Sequence, residues 1–518
     1  MSHLADHLAV LPILIPLAAG AILLLTGGRG SRSERGISLA AAAALLPVAL
    51  LLLARTASGE TLVYYLGDWP APYGISLFVD RLSALMLMLG TVLGLGSLVY
   101  ALAGDDRRGG FFHALFQFQL LGINGAFLTG DLFNLFVFFE ILLIASYALQ
   151  LHGGGKARVR AALHLVVLNL IGSSIFLIGI GALYAATGTL NLADLAVRVS
   201  QTGSDQAGLL RTGGLLLLAV FALKAALAPL GFWLPPAYGS AAAPVAALFA
   251  ILTKVGVYAI LRVHGLLFGP EAGPAASLAV PWLLPVGLGT IAVATLGLMA
   301  SRDLQRLLSC LVVLSAGTLT LALGLDSRAA TSAALYYLLN STLVGGGLFL
   351  LAGLIAGERG AAAGRLDERR AVARPGLLGS LFFLGAVGVA GLPPLAGFAA
   401  KVYLLQSSLE SPAAGWVFGF LLGSGLLVIV ALSRAGTAIF WRTGDAPSDT
   451  AGTSPLPVLS ASFLLLGTLA LMIFARPATE LTQAAATQLA DRSAYIDAVL
   501  ANRGVSTPAS TGQVPNDW

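Results

Sequence analysis

Asp131-Leu-Phe-Asn-Leu-Phe-Val-Phe-Phe-Glu140-Ile-Leu-Leu-Ile-Ala-Ser146 is an apolar run broken by one carboxylate nine residues from its start. At the helical rise of about 1.5 Å per residue, Glu140 lies about 13 Å along the axis. That is near the middle of a hydrocarbon layer about 30 Å thick. A charge there costs roughly 2.5–3.5 kcal/mol on insertion scales. Two roles fit such a residue: partner in a structural ion pair, or carrier of a proton. A low-dielectric site disfavours the ionised form of a side chain, which suits a group that repeatedly takes and releases a proton.

The chain around this run is built for lipid. Of its 518 residues 57% are hydrophobic and only 10% charged, with mean hydropathy +0.89. Soluble domains carry about 25% charged residues. A span takes about 20 apolar residues, and such runs fall near 8–26, 37–54, 77–103, 111–128, 132–150, 161–186, 212–238, 242–266, 278–300, 304–325, 330–356, 376–405 (interrupted), 413–440 and 456–475. Backbone groups must be satisfied internally in lipid, so the spacing predicts an all-α integral membrane protein of about fourteen transmembrane helices. One polytopic domain covers 1–475. A polar tail, 476–518, follows, and its last fifteen or so residues have a disordered composition. Leu190, Leu192, Leu195 and Val197, between Gly188 and Arg211, suggest a short interfacial helix. The first run follows His3, Asp6 and His7 with no Lys or Arg, which argues for a first helix and against a signal peptide.

Charge and cysteine content exclude other classes. One cysteine, Cys310, leaves no disulfide framework or thiolate metal cluster. No paired-histidine zinc motif or phosphate loop is present, so no metal, cofactor or catalytic residue is expected. The net charge of +5 comes mainly from arginines in short loops, which is a topology signal and not a nucleic-acid surface. Loops 29–36, 105–110, 153–160, 301–306, 357–375 and 434–442 hold most of them, including Arg442. These are the inner loops if both termini lie outside. The location expected is the bacterial cytoplasmic (inner) membrane.

Two runs carry helix breakers mid-span: Lys224-Ala-Ala-Leu-Ala-Pro229-Leu-Gly231, and Gly391-Leu-Pro393-Pro394-Leu-Ala-Gly397. Interior proline removes a hydrogen bond and displaces a carbonyl. Paired breaks in corresponding places point to a transporter with inverted repeats, here two five-helix units at about 111–266 and 278–440.

Only four lysines exist, and three fall within apolar runs: Lys224, Lys254 and Lys401. Lys224 is expected about twelve residues into its helix, and Lys254, in Phe249-Ala-Ile-Leu-Thr-Lys254-Val-Gly-Val-Tyr258, is expected to be equally central. Snorkelling serves lysines near helix ends, not at such depth. Lys401 follows the second break by about one turn. With Glu140 these would cost about 10 kcal/mol if unpaired, which disfavours a purely structural scaffold. Asp131 reads first as an N-cap and second as a proton entrance. Asp80 and Arg81 are expected to pair or to face headgroups. His164 could be an entry group or a satisfied structural histidine. Ser315 and Asn340, with Ser341 and Thr342, could line a hydrated path or serve as interhelical contacts.

The stretch Gly130 to Tyr147, the stretch Lys224 through Pro229 and Trp233 to Pro235, and Pro244 to Lys254 resemble the antiporter-like subunits shared by respiratory complex I and the multisubunit Mrp (Pha, Mnh, Sha) cation/proton antiporters, most of all the D-type subunit of the latter. The likeness extends over essentially the whole chain, including Gly67-Asp-Trp-Pro-Ala-Pro-Tyr-Gly74. It implies fourteen helices in two inverted five-helix repeats. A proton path would use a glutamate on the family's fifth helix and lysines on its seventh, eighth and twelfth, which match Glu140, Lys224, Lys254 and Lys401. The implied role is a proton-translocating subunit of a Na⁺ or K⁺/H⁺ antiporter with other antiporter subunits as partners. The alternative is a proton-pumping membrane subunit of a NADH-quinone oxidoreductase or membrane-bound hydrogenase. Phe232-Trp233, where complex I relatives often have histidine beside the tryptophan, favours the antiporter. Cys310 to Gly317 and Tyr337 to Gly346 lack the histidine or lysine that relatives often have there, which leaves no obvious titratable group between Lys254 and Lys401, so water or partner subunits are expected to complete that path.

Overall fold

The computed structural model describes residues 7–441, 444 and 455–501. Arg442, His3, Asp6 and the end of the tail lie outside the described residues. The helices are α1 (Leu11–Leu25), α2 (Arg32–Ala57), α3 (Arg81–Ala101), α4 (Phe112–Leu128), α5 (Leu132–Leu151), α6 (Lys156–Thr187), α7 (Leu192–Gln201), α8 (Ala207–Lys224), α9 (Leu234–Ser240), α10 (Ala243–Phe249), α11 (Leu252–Ala259), α12 (Val280–Ala300), α13 (Leu304–Leu323), α14 (Arg328–Arg359), α15 (Pro375–Ala390), α16 (Ala396–Ser407), α17 (Ala414–Gly436), α18 (Pro455–Ile473), α19 (Ala475–Ala490) and α20 (Arg492–Leu500). Every predicted apolar run carries helix. Among the described residues, eleven helices are long and apolar enough to cross a membrane, so the chain is a multi-pass, nearly all-helical membrane protein. α14, 32 residues long, runs through the middle and packs on α3, α10, α13, α15, α16, α18 and α19.

The run at 77–103 does not begin as helix. Ser76–Val79 pairs antiparallel with Leu62–Tyr65, because Asp80 starts α3 by a reciprocal cap with Ser83. A capping oxygen fixes where the first turn begins, so the residues before it are left extended. The predicted short helix is α7, capped by Asn191. It lies against α20, and α19 packs on α3 and α14, so residues 475–500 of the polar tail form two docked helices.

Some loop charges are pinned. Arg35 grips Asp106 through two hydrogen bonds of 2.6 Å, and His113 Nε2 meets the same carboxylate at 3.1 Å. Burial pushes the Asp106 carboxyl up, but the bonds from His113 and Arg35 outweigh it and hold the group below the usual carboxylate range.

The two expected breaks are present, and a third was not foreseen. α8 stops at Lys224 and the chain re-enters helix through a 3-10 turn at Leu230–Trp233. α15 stops at Ala390 and α16 begins at Ala396. Gly231 and Gly397 are obligatory here. A Cβ on either would lie 2.1 Å from the Ala226 carbonyl or 1.9 Å from the Gly388 carbonyl. The third break separates α10 from α11 at Ala250–Ile251, inside the run read as one helix over 242–266. No proline or glycine marks it. Tyr238 Oη, from α9, donates to the Phe249 carbonyl at 2.8 Å. A side chain that satisfies a ladder carbonyl from outside makes a kink tolerable, and that partner is remote from the break itself. The same run ends in a π-helical turn at Ile260–His264.

Candidate functional site

α5 presents Glu140 from a start fixed by Asp131, whose carboxylate accepts the Asn134 N–H at 2.8 Å. Asp131 thus sits at the N-cap. Glu140 is half-buried and accepts a hydrogen bond from the Ser173 hydroxyl of α6. The same hydroxyl lies 3.0 Å from the Asn169 carbonyl one turn back. It has one proton, so it serves the carboxylate or its own helix, but not both at once. The Asn169 amide donates to the Leu165 carbonyl at 2.8 Å, and its oxygen accepts from Lys224 Nζ at 3.2 Å. Glu140 and Lys224 therefore meet through one face of α6 rather than as a direct ion pair. Lys224 is 5% exposed and its ammonium stands 5.8 Å from the centre of the Phe139 ring.

Lys224 is the last residue of α8, not a mid-helix residue as its spacing predicts. The helix starts earlier and ends sooner than its hydrophobic run. The Leu223 carbonyl at that end accepts from Trp233 Nε1 at 3.1 Å and from the Ala226 N–H at 3.1 Å. Lys254 stands in the first turn of α11, near the middle of the 25-residue span Ala243–Leu267, central as expected. It is 1% exposed. Its ammonium donates to Ser315 Oγ at 2.7 Å and reaches Thr253 Oγ1 at 3.3 Å.

From Ser315 the polar lining continues. A cavity of about 30 Å³ is bounded by Ser315, Thr318, Asn340, Ser341, Ser424 and Lys401, with no acidic residue on its wall. That volume is on the order of one water molecule. Lys401 is half-buried and donates to the Ala390 carbonyl, the last of α15, at 2.6 Å. Asn340 donates to the Gly388 carbonyl at 3.3 Å and accepts from Thr468 at 2.6 Å. A second cavity, about 20 Å³, touches Lys224, Asn169, Ser146 and Leu252. It occupies the ground between the first lysine and the start of α11.

Glu140 and Lys224 are brought together across α6, and Lys254 and Lys401 across Ser315 and its cavity, while two accessory candidates stand apart from both. His164 is exposed on α6 and donates Nδ1–H to the Arg160 carbonyl at 2.9 Å, off the path. Asp131 serves the cap. Asn169 and Ser173 were missed by reading the sequence, although their spacing of four on one helix is the visible signal. Arg262 was missed too. Asp80 pairs with it, at 2.8 Å and fully buried, and not with Arg81. Arg262 lies 5.4 Å from the centre of the Tyr258 ring, and Lys254, Tyr258 and Arg262 share a spacing of four.

A family model described as "NADH:quinone oxidoreductase/Mrp antiporter, TM" matches residues 129–429. The D-type subunit of a probable K(+)/H(+) antiporter of Rhizobium meliloti (strain 1021) is 41% identical, covering 94% of this chain and 96% of its own. The D-type subunit of a Na(+)/H(+) antiporter of Bacillus subtilis (strain 168) is 36% identical over 96% and 99%. Among solved structures, a chain of the Mrp complex from Dietzia sp. DQ12-45-1b superposes with TM-score 0.86, at 27% identity over 96% of this chain and 99% of that one.

Proposed function

Since this chain belongs to the NADH:quinone oxidoreductase/Mrp antiporter family, we propose that it is the D-type, proton-translocating subunit of a multisubunit Na⁺ or K⁺/H⁺ antiporter. The observation that carries this is the hydrogen-bonded series Glu140–Ser173–Asn169–Lys224, followed by Lys254–Ser315 and the small polar cavity that ends at Lys401. A carboxylate and an amine at opposite ends of one helix face bias each other's protonation. Occupation of one by a proton changes the cost of charge at the other, since Coulomb energy is weakly screened in a dry site. Ser173 adds a hydroxyl that turns between the carboxylate and a backbone carbonyl, the movement a relay needs. Lys254 takes up the middle and Lys401 the far end.

Both end members, Glu140 and Lys401, are half-buried while the two middle lysines are buried. This supports a series whose ends meet other subunits, so the chain works within a hetero-oligomer and is a secondary-transporter subunit, not an enzyme. The breaks after Lys224 and before Lys401 support two inverted five-helix repeats and fourteen crossings, with both termini outside a bacterial inner membrane. The family also contains quinone-reductase subunits, so composition of the purified assembly separates the readings. Small antiporter subunits support this one, and iron–sulfur or flavin subunits would replace it with a redox pump. In vesicles, the complete complex should exchange Na⁺ or K⁺ for protons, and vesicles with this chain alone should not. Cation-driven proton flux by the chain alone would refute the division of labour.

A further inference from the structure

A groove of about 580 Å³ runs beside the first helix break, separate from the polar series. Phe232, Pro235, Val293 and Gly297 form its wall. Phe232 is 66% exposed and Val293 39% exposed, so the wall opens away from the bundle. The groove ends among charges: Arg302, Arg306 and Arg365 against Asp303 and Asp367. Arg365 is engaged with Glu368 at 2.5 Å. Arg302 and Arg306 are exposed at the start of α13, and among the described residues neither guanidinium has a hydrogen bond or ion pair to protein. Asp303 is committed as the α13 cap, accepting the Arg306 N–H at 3.2 Å.

We propose that this groove binds an anionic phospholipid, its phosphate on Arg302 and Arg306 and an acyl chain along Phe232 and Val293. The two halves of the groove demand the two halves of that molecule. Guanidinium binds phosphate as a two-pronged donor, and an apolar wall opening to the bilayer takes hydrocarbon. A free phosphate would leave the wall unused, and an uncharged chain would leave both arginines unmatched. The groove is also lined by Ala226, Ala228 and Pro229, in the break that follows Lys224. The bound lipid therefore touches the break that positions that amine.

The test uses the complete complex in detergent, offered phosphatidylglycerol and phosphatidylcholine in equal amounts and weighed intact by native mass spectrometry. The expected result is one tightly held phosphatidylglycerol lost from the Arg302→Gln/Arg306→Gln complex, its retention falling about tenfold. Arg302→Lys/Arg306→Lys should keep most of it. Val293→Trp, which fills the groove from its exposed side without touching charge, should lose it as well. Millimolar inorganic phosphate should not displace it. Unchanged retention in the double glutamine variant, equal retention of both lipids, displacement by phosphate alone, or full retention in Val293→Trp would each overturn the proposal. So would a native complex that holds no lipid there, because a neighbouring subunit would then cover the groove.

Discussion

The two broken helices solve one problem in opposite ways. At the first break, the Leu223 carbonyl is taken by the Trp233 indole and a backbone N–H, and Lys224 is left to face Asn169 and, through α6, Glu140. At the second, Lys401 itself takes the Ala390 carbonyl, and Asn340 takes that of Gly388. At the first break a tryptophan takes the open carbonyl and leaves the lysine to Asn169, whereas the second lysine is held by its own break. The surroundings differ in the same sense. The first half sets an acid against an amine, and the second joins two amines through hydroxyls, an amide and space for about one water. A proton reaching the second half has no carboxylate to stop at, so its movement there depends on hydration and on Lys401 leaving its carbonyl.

The largest expected effect lies in the first half. Glu140→Gln and Lys224→Ala should each lower cation/proton exchange at least about a hundredfold at matched membrane expression. Normal exchange in either would end the assignment of the pair and with it the contrast between the halves.

Lys401 tests whether the second half relays protons or only neutralises charge. Arginine keeps the charge but cannot deprotonate, and alanine removes both. If the amine relays, Lys401→Arg and Lys401→Ala should both fall about tenfold or more, whereas an active arginine variant would make Lys401 a fixed donor to Ala390.

Hydroxyl deletions should sharpen the comparison. Ser173→Ala removes the hydrogen bond from α6 to Glu140 and should slow exchange about tenfold, the worth of a charge-assisted hydrogen bond. Ser315→Ala should cost less, because Thr253 and water in the cavity remain for Lys254. Equal rates in the two variants, measured in the same vesicles, would mean that the halves are wired alike.

The smallest effect concerns stability. Trp233→Phe should lower the stability of the purified complex by about 1 kcal/mol, since Leu223 keeps one backbone partner. Asn340→Leu should cost somewhat more, because it strands the Gly388 carbonyl and the Thr468 hydroxyl together. Thermal melts of the two complexes compare them directly, and a larger loss at Trp233 would reverse the ranking of the breaks.

Much of the architecture was legible because lipid permits few solutions. Long apolar runs must be helices, clustered proline and glycine can interrupt them, and a charge in such a run must have a reason that outweighs its transfer cost. Those rules alone select Glu140, Lys224, Lys254 and Lys401, and locate the breaks at Pro229 and Pro393-Pro394. The break at Ala250–Ile251 was not legible, since the group that satisfies the Phe249 carbonyl beside it is the Tyr238 hydroxyl on another helix. Asn169 and Ser173 look like ordinary interhelical polar residues until α6 is seen to lie between Glu140 and Lys224. Asp80 and Arg262 are 182 residues apart, and nothing in the sequence joins them. Periodicity and transfer cost act on residues a few positions apart, so sequence fixes which groups are buried. Which groups share a hydrogen bond, and which lysine is free and which held, depends on the packing of helices remote in sequence, and that only the tertiary structure decided.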